Sequence, residues 1–269
     1  MTILYVGDVM GAPGVRVVER MLPDLKREKQ IDLVIAQGEN VTAGRGISPE
    51  DFNRLQAAGV DFCTGGNWSL YRDEIIPMMD DPDDPIIRPA NYPEGTPGLG
   101  YKFIETAKGN VLLVSLLGHI VGKDAEKPLD NPLHVIDRIL NEEKDTKRAA
   151  TIVNFHGDYS SEKVVIGQYL DGRVTAVVGD HWHVPTADAQ VLPKGTAHIT
   201  DVGMCGSLDS SLGIKSDVII TRWQTAKPSR NELEATGRMQ FNALLVQADE
   251  KNGLARSAKL IQRVLTSGL

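Results

Sequence analysis

The chain has 269 residues, of which 29 are Lys or Arg and 36 are Asp or Glu, so its formal net charge is −7. Hydrophobic residues make up 41% and charged residues 24%, which are ordinary globular values and exclude a disordered or collagen-like chain. The acidic balance argues against a binder of nucleic-acid polymers, because such binding depends mostly on Lys and Arg at phosphates. Two cysteines, Cys63 and Cys205, are too few for a disulfide framework or a cysteine-based zinc site.

The N-terminus has none of the features of a targeting segment, because its short apolar run follows no basic residues and stops at Gly7-Asp8. No stretch approaches the roughly 20 apolar residues that a membrane helix needs. We therefore expect a cytoplasmic protein with no membrane association and reduced thiols. No internal repeat, low-complexity tract or linker interrupts the chain, so we expect one domain over residues 1–269.

The first part of the chain alternates short buried strands with helices. Strands are predicted at Thr2–Val6, Asp32–Ala36 and Val60–Cys63. Pro13 is typical of a helix start, and Ser48 is a predicted N-cap followed by acidic residues. The short links between these elements predict βαβ units and therefore an α/β fold.

The alternation continues after an irregular stretch at 80–93. The further predicted elements are the strands Tyr101–Thr106, Val111–Leu117, Thr151–Phe155 and Val174–Val178 and the helices Asn131–Asn141 and Ser160–Leu170. Asn252-Gly253 lies between two strand-like segments, Met239–Gln247 and Ala255–Val264, and predicts a hairpin.

Polar side chains that can bind metal ions follow five of the predicted strands. They are Asp8, Glu39 with Asn40, Asn67, His156, and His181 with His183. Because the carboxyl ends of strands in α/β sheets converge on one edge, we expect these side chains to meet there. Carboxylate and amide oxygens together with imidazole nitrogens suit Mn, Fe or Zn. A carboxylate that bridges two ions about 3.5–4 Å apart would favour chemistry on a phosphate.

Each of these residues alone also has an ordinary structural explanation, as a turn, a helix cap or a buried histidine, so the prediction depends on their joint placement. His181-x-His183 is expected in an extended segment, with both rings on one side. His119 follows Gly118 after a strand and is a further candidate for the same edge. The spacing of Gly7, Gly11 and Gly14 fits neither the Rossmann nor the P-loop pattern, which argues against a nucleotide-binding Rossmann domain.

Motifs along nearly the whole chain resemble those of the YmdB-type metallophosphoesterases, bacterial 2′,3′-cyclic-nucleotide phosphodiesterases of the calcineurin-like superfamily. The matching segments are GDVMGAPG (7–14), GEN (38–40), GGN (65–67), RPANYP (88–93), PGLGY (97–101), FH (155–156), SSEK (160–163), LDGRV (170–174), HWHVPTAD (181–188), LPKGTAHITDVGM (192–204) and the C-terminal hairpin. The resemblance implies an α/β fold in the form of a four-layer α/β/β/α sandwich. It also implies a small nucleotide or phosphodiester substrate and a homo-oligomer.

The resemblance implies a site for two divalent metal ions, of which Fe or Mn is favoured and Zn or Mg is an alternative. Asp8, Glu39 and His183 would hold one ion, with Asn40 nearby. Glu39 would bridge to the second ion, which Asn67, His156 and His181 would hold. A bridging hydroxide would then attack phosphorus in line with the leaving oxygen.

Several residues depart from the family pattern around this site. Trp68 stands where the family has the histidine of Gly-Asn-His, which protonates or stabilises the leaving group. An indole cannot usefully transfer a proton, and general acid catalysis is worth about 10²–10⁴-fold. Asp180 and Trp182 replace two threonines of Gly-Thr-His-Thr-His, and Asp158 replaces a glutamate.

Two functions therefore remain open from the sequence. The first is an active phosphodiesterase with an altered leaving-group requirement, in which His119, Asp158 or Asp180 replaces the acid and Trp68 and Trp182 stack on a base. The second is a metal- and nucleotide-binding regulator with little catalysis.

Overall fold

The computed structural model describes residues 1–122 and 128–266, so the predicted domain of residues 1–269 extends beyond the described part. The strands in chain order are β1 Thr2–Val6, β2 Asp8–Val9, β3 Leu33–Gln37, β4 Phe62–Thr64, β5 Tyr101–Ile104, β6 Val111–Leu117, β7 Ala150–His156, β8 Ala176–Asp180, β9 Gln190–Val191, β10 Ala197–Ile199, β11 Met204–Ser207, β12 Met239–Ala248 and β13 Ala255–Leu265. The helices are α1 Gly11–Lys29, α2 Pro49–Ala57, α3 Ile76–Asp80, α4 Pro132–Glu142, α5 Ser160–Tyr169 and α6 Ser216–Thr225. In these residues no helix is long and apolar enough to cross a membrane.

Two mixed sheets organise these elements. The first runs β2-β11-β12-β1-β3-β4, with β13 paired to β12, and β1, β3 and β4 are parallel neighbours. The second runs β5-β6-β7-β8-β10-β9, and β6, β7, β8 and β10 are parallel. The predicted ligands lie at or just after the carboxyl ends of five strands. These strands are β1, β3 and β4 in the first sheet and β7 and β8 in the second.

Three apolar layers separate the sheets and helices and give four layers of structure. On β1, Leu4 and Val6 pack against helix α1, whereas Ile3 and Tyr5 face the second sheet. This alternation follows from the two-residue period of a strand. On its other face the second sheet packs against α4 and α5. The predicted α/β/β/α sandwich is therefore confirmed.

Most predicted elements are confirmed within a few residues. Ser48 caps α2 through a hydrogen bond from the Asp51 N–H, and β12 and β13 form the predicted hairpin. Helix α1 begins at Gly11 rather than at Pro13, which lies in its first turn. Helix α6 was not predicted, and none of its residues is fully buried.

Candidate metal centre

One half of the candidate centre is organised around the ring of His156, which is fully buried at the end of β7. Its Nε2 atom lies 3.0 Å from Glu39 Oε1 and 3.1 Å from Asn67 Oδ1. Glu39 follows β3 and Asn67 follows β4, so adjacent strand ends of the first sheet deliver both oxygens. Glu39, His156 and His181 offer ligand atoms that all lie within 4.8 Å of one another.

The other half is organised around His183. Its Nε2 atom lies 3.2 Å from Asn40 Oδ1 and 3.8 Å from Asp8 Oδ1. Its Nδ1 atom donates to the carbonyl oxygen of Leu212 at 3.2 Å, which leaves the Nε2 lone pair directed at the two oxygens. Asp8 Oδ2 accepts the backbone N–H of His181, so the two halves share a border.

Three observations indicate that these residues fit metal ions. Asp8 Oδ1 is buried and has no hydrogen-bond partner among the described residues, although a buried carboxylate oxygen without a partner is costly. A Cβ atom at Gly66 would lie 2.2 Å from Glu39 Oε2 and 2.5 Å from His156 Cδ2, so only glycine leaves the ligands room. The donor set of carboxylates, amide oxygens and imidazoles suits Mn, Fe or Zn.

Asp180 holds the His156 ring through the ring nitrogen Nδ1, which faces away from Glu39 and Asn67. Its Oδ1 atom lies 2.7 Å from His156 Nδ1, while its Oδ2 atom accepts hydrogen bonds from Tyr5, Gln37 and Asn154. A carboxylate held by this many donors fixes the orientation of the ring. The prediction that Asp180 lies next to the ligands agrees with this geometry, whereas its full burial separates it from the cavity where a substrate would bind.

The charges of the centre are strongly coupled. Burial alone would lower the pKa of His156, but the carboxylates of Glu39 and Asp180 outweigh it and raise that pKa well above its usual value. Burial, followed by the negative charge of Asp180, raises the pKa of Asp8. Burial and the charge on His156 lower the pKa of His181 to about 4, and burial lowers the pKa of His183. The rings of His181 and His183 are therefore neutral and able to coordinate metal at neutral pH.

The segment carrying His181 and His183 is not extended, so that prediction is wrong. His181 has φ of 101° and His183 has φ of 63°, both in the region that favours glycine. This positive φ at two non-glycine residues costs energy and persists only where the surroundings enforce it. Lys163 and Asp201, both fully buried, supply such surroundings: Lys163 Nζ donates to the carbonyl oxygen of Asp180, and Asp201 Oδ2 accepts the N–H of Trp182.

A cavity of about 1070 Å³ opens onto the candidate ligands Glu39, Asn40, His181 and His183. Trp68 forms part of the cavity wall, and its backbone N–H donates to Glu39 Oε2 at 3.1 Å. The guanidinium of Arg45 lies 4.8 Å above the Trp68 ring, and the Tyr71 ring meets Trp68 edge-on at 5.3 Å.

Asp158 and Trp182 line the same cavity, in agreement with the prediction that they lie beside the ligands. Asp158 Oδ1 lies 3.4 Å from His181 Nε2, and the indole N–H of Trp182 donates to the carbonyl oxygen of Asp158. One face of the Trp182 ring is covered by Lys163 Nζ, 4.0 Å from its centroid.

His119 does not reach the centre, contrary to the prediction from its position after a strand. Its ring contacts the carboxylate of Glu162 on α5, and its side chain is 74% exposed. It lines a separate cavity of about 470 Å³ beside Pro132. The backbone carbonyl of His119 accepts the N–H of Asp158, so this strand end supports the site through its backbone.

Residues other than the ligands also shape the site, and sequence reasoning assigned them no role. Lys163 lies in the motif SSEK and Asp201 in the motif LPKGTAHITDVGM. A lysine on the buried face of α5 is the feature of the sequence that could have indicated this role.

The two cysteines lie in the protein interior. Cys63 and Cys205 are free and buried, and burial raises the pKa of each thiol to about 12.

Known proteins resemble this chain in both sequence and fold. The profile of a family described as "YmdB-like protein" matches residues 4–261. The chain is 39% identical over 266 residues to a 2′,3′-cyclic-nucleotide 2′-phosphodiesterase of Bacillus subtilis, covering 98% of this chain and 97% of that one. Its fold matches the crystal structure of a phosphatase of Mycoplasma pneumoniae with a TM-score of 0.90 at 29% identity, covering 98% and 93% of the two chains.

A more distant likeness concerns the fold alone. A calcineurin-like phosphoesterase of Bacillus subtilis, YfkN, superimposes with a TM-score of 0.55 at 10% identity, covering 99% of this chain and 90% of that one. The chain therefore shares the fold of a calcineurin-like phosphoesterase. By its sequence it belongs to the YmdB-like family, as its motifs predict.

Proposed function

We propose that this chain is a metal-dependent phosphodiesterase that hydrolyses small cyclic nucleotides such as 2′,3′-cAMP. The convergence of Glu39, Asn67 and His156 at 3.0–3.1 Å, beneath a cavity large enough for a nucleotide, is the observation that carries the proposal. The activity in the name of the B. subtilis relative supports the substrate class.

In this proposal two clusters of side chains hold two divalent ions. Asp8, Asn40 and His183 form one cluster, Asn67, His156 and His181 form the other, and Glu39 lies between them. Fe or Mn is favoured by the mixed oxygen and nitrogen donors, with Zn or Mg as alternatives. When bound, the ions would neutralise the phosphate charge and lower the pKa of the attacking water.

The protein's own residues then orient and support the ligands. Asp180 and the carbonyl oxygen of Leu212 each engage one ring nitrogen, of His156 and His183 respectively, so that Nε2 of each faces the centre. Trp68 donates its backbone N–H to Glu39 Oε2 and holds that carboxylate in place. These fixed orientations reduce the rearrangement that substrate binding would require.

The side chain of Trp68 cannot protonate the leaving oxygen. Of the three candidate replacements, Asp180 holds His156 and His119 lies at another cavity, whereas Asp158 lines the substrate cavity. We therefore propose that Asp158 replaces the missing general acid. Substrates with good leaving groups, such as aryl phosphodiesters, should depend less on it.

A metal- and nucleotide-binding regulator with little catalysis is the second candidate function. The stack of Arg45 on Trp68 favours it, because Trp68 stands where the family has its proton-donating histidine and Arg45 covers its ring. A complete ligand set would serve binding without turnover.

One comparison separates the two functions. The purified protein is loaded with Mn²⁺ and assayed on 2′,3′-cAMP and bis-p-nitrophenyl phosphate, beside Trp68→His and the ligand variant His156→Ala. Hydrolysis of either substrate by the wild type, lost in His156→Ala, supports the enzyme. No hydrolysis by the wild type together with activity in Trp68→His supports the regulator, and a protein that binds no metal contradicts both.

Three further features belong to the same proposal. The core shared by the two sheets supports one domain over residues 1–269. The buried free thiols suit a cytoplasmic location. A homo-oligomer remains an expectation from the family resemblance.

A further inference from the structure

The cavity above the candidate centre is larger and more positive than one cyclic mononucleotide requires. Its volume of about 1070 Å³ lies above the roughly 300–1000 Å³ of typical sites for one small molecule. A 2′,3′-cyclic mononucleotide carries a single phosphate with a single negative charge. Among the residues that the structure describes, the cavity lining includes the four arginines Arg45, Arg72, Arg222 and Arg230 and two carboxylates, Glu39 and Asp158.

The four arginines differ in how they are used within the protein. Arg72 pairs with Glu74 and donates to the carbonyl oxygens of Arg45 and Thr42. Arg222 donates to Ser229 and Asn231, which fixes the loop after α6 without neutralising its charge. The contacts of Arg72 and Arg222 within the protein therefore explain why these two arginines lie at the cavity.

Arg45 and Arg230 have no such structural role. The guanidinium of Arg45 contacts the rings of Trp68 and Tyr71, and in residues 1–122 and 128–266 it has no ion pair. The Arg230 guanidinium likewise has no acceptor within the part of the chain described here. A guanidinium is suited to bidentate binding of phosphate. Two such groups facing a cavity in a protein of net charge −7 indicate an anionic ligand.

The two arginines belong to walls that both connect to the candidate centre. Arg45 stacks on Trp68, whose N–H donates to Glu39. Arg230 precedes residues 232–234, whose backbone hydrogen-bonds to Gly213 and Lys215 beside Leu212, the residue whose carbonyl oxygen engages His183. A ligand that has one phosphate at the centre could therefore place further phosphates along these walls. The exposed edge of Tyr71, beside Trp68, adds an aromatic surface typical of sites that bind unpaired bases.

We infer that the site acts on short oligonucleotides that end in a 2′,3′-cyclic phosphate, with Arg45 and Arg230 binding phosphates other than the one that is hydrolysed. This inference rests on the proposed function and narrows its substrate class. In the reaction the oxygen of one water bonds to phosphorus, one bond from phosphorus to a ribose oxygen breaks, and that oxygen takes the proton. The phosphate remains on the other ribose oxygen as a monoester, so a reaction that leaves cyclic ends on RNA must supply the substrate.

The test compares a cyclic mononucleotide with a trinucleotide that carries the same cyclic end. Wild-type kcat/KM should be at least about tenfold higher for the trinucleotide, since each charge-assisted phosphate contact contributes about that factor. Arg45→Gln and Arg230→Gln should each lower kcat/KM for the trinucleotide by a larger factor than kcat/KM for the mononucleotide, and so reduce this preference. The slope of log kcat/KM against log salt should flatten by about 0.7 per arginine. Arg138→Gln removes the same charge from the exposed face of α4 and is the matched control.

A binding measurement separates this inference from the proposed function. A fluorescein-labelled trinucleotide with a 3′-phosphate is titrated into the metal-free protein and followed by anisotropy. Binding in this titration that depends on Arg45 and Arg230, together with no hydrolysis of either cyclic substrate by the Mn²⁺-loaded protein, would retain the ligand class and overturn the enzyme. Hydrolysis of the mononucleotide with no preference for the trinucleotide, or equal losses on both substrates in the two variants, would overturn the inference and leave the enzyme intact.

Discussion

Lys163 Nζ donates to Asp201 Oδ2 at 2.7 Å, and both side chains are fully buried beneath the loop that carries His181 and His183. The same lysine donates to the carbonyl oxygen of Asp180, and the same carboxylate accepts N–H groups from Trp182 and Gly203. This pair fixes the backbone on both sides of His181, where φ is positive. It is therefore the structural basis for the orientation of two candidate ligands.

Lys163→Met should lower the free energy of unfolding by about 3–5 kcal/mol, because it leaves the carboxylate of Asp201 buried without its cation. The double variant Lys163→Met/Asp201→Asn should recover part of this loss. Urea unfolding measures both values. Arg173→Met breaks the half-exposed pair with Asp137 and should cost less than about 1 kcal/mol. Equal losses in Lys163→Met and Arg173→Met would contradict a supporting role for the buried pair.

Asp180→Asn should weaken metal binding by about 10–100-fold, because residues that orient a metal-binding histidine have effects of this size. The substitution removes the charge that faces His156 Nδ1 and disturbs the donors Tyr5 and Asn154. Isothermal titration with Mn²⁺ measures the effect. Asp137→Asn, at a half-exposed carboxylate on α4, serves as the control. An unchanged affinity in Asp180→Asn would contradict a role of Asp180 in metal binding.

Gly66→Ala should abolish metal binding while the closely related Gly38→Ala retains it. A Cβ atom at Gly66 would lie 2.2 Å from Glu39 Oε2, whereas a Cβ atom at Gly38 would meet its nearest neighbours at 3.5 Å. Both glycines lie at strand ends of the first sheet, so the pair isolates crowding of the ligands from general effects of alanine. Circular dichroism should show both variants folded, and two ions bound in Gly66→Ala would be incompatible with the predicted ligand geometry.

Metal affinity should rise with pH through the neutral range. In the metal-free protein the pKa values of His156 and Asp8 are raised, so both groups hold protons to higher pH than usual and must release them to bind metal. The pKa values of His181 and His183 are lowered, so these rings contribute no proton. Titration calorimetry in buffers of different ionisation enthalpy should report proton release on binding. Absence of proton release near pH 7 would contradict the assignment.

The sequence predicts the identity and convergence of the candidate ligands because both depend on strand ends. Buried apolar runs are readily recognised, and parallel strands bring the residues that follow them to one edge, as for Glu39, Asn67 and His156. The hairpin of β12 and β13 is equally predictable from Asn252-Gly253.

Features that depend on distant contacts were beyond such reasoning. The left-handed backbone at His181 and His183 runs against the local preference of histidine and is enforced by Lys163 and Asp201. His119 follows a strand as expected, yet its ring contacts Glu162 on α5, a contact that strand order does not reveal. The stack of Arg45 on Trp68 joins two loops, and neither position predicts it alone.

The number of metal ions bound per chain tests the dinuclear centre itself. The protein is stripped with chelator, reloaded with Mn²⁺, desalted and analysed by mass spectrometry for metal and protein together. We expect two ions per chain in the wild type and at most one in His156→Ala and in His183→Ala, whereas His134→Ala, at an exposed histidine, should still bind two. A wild type that binds none, or histidine variants that still bind two, would contradict a dinuclear centre at these residues.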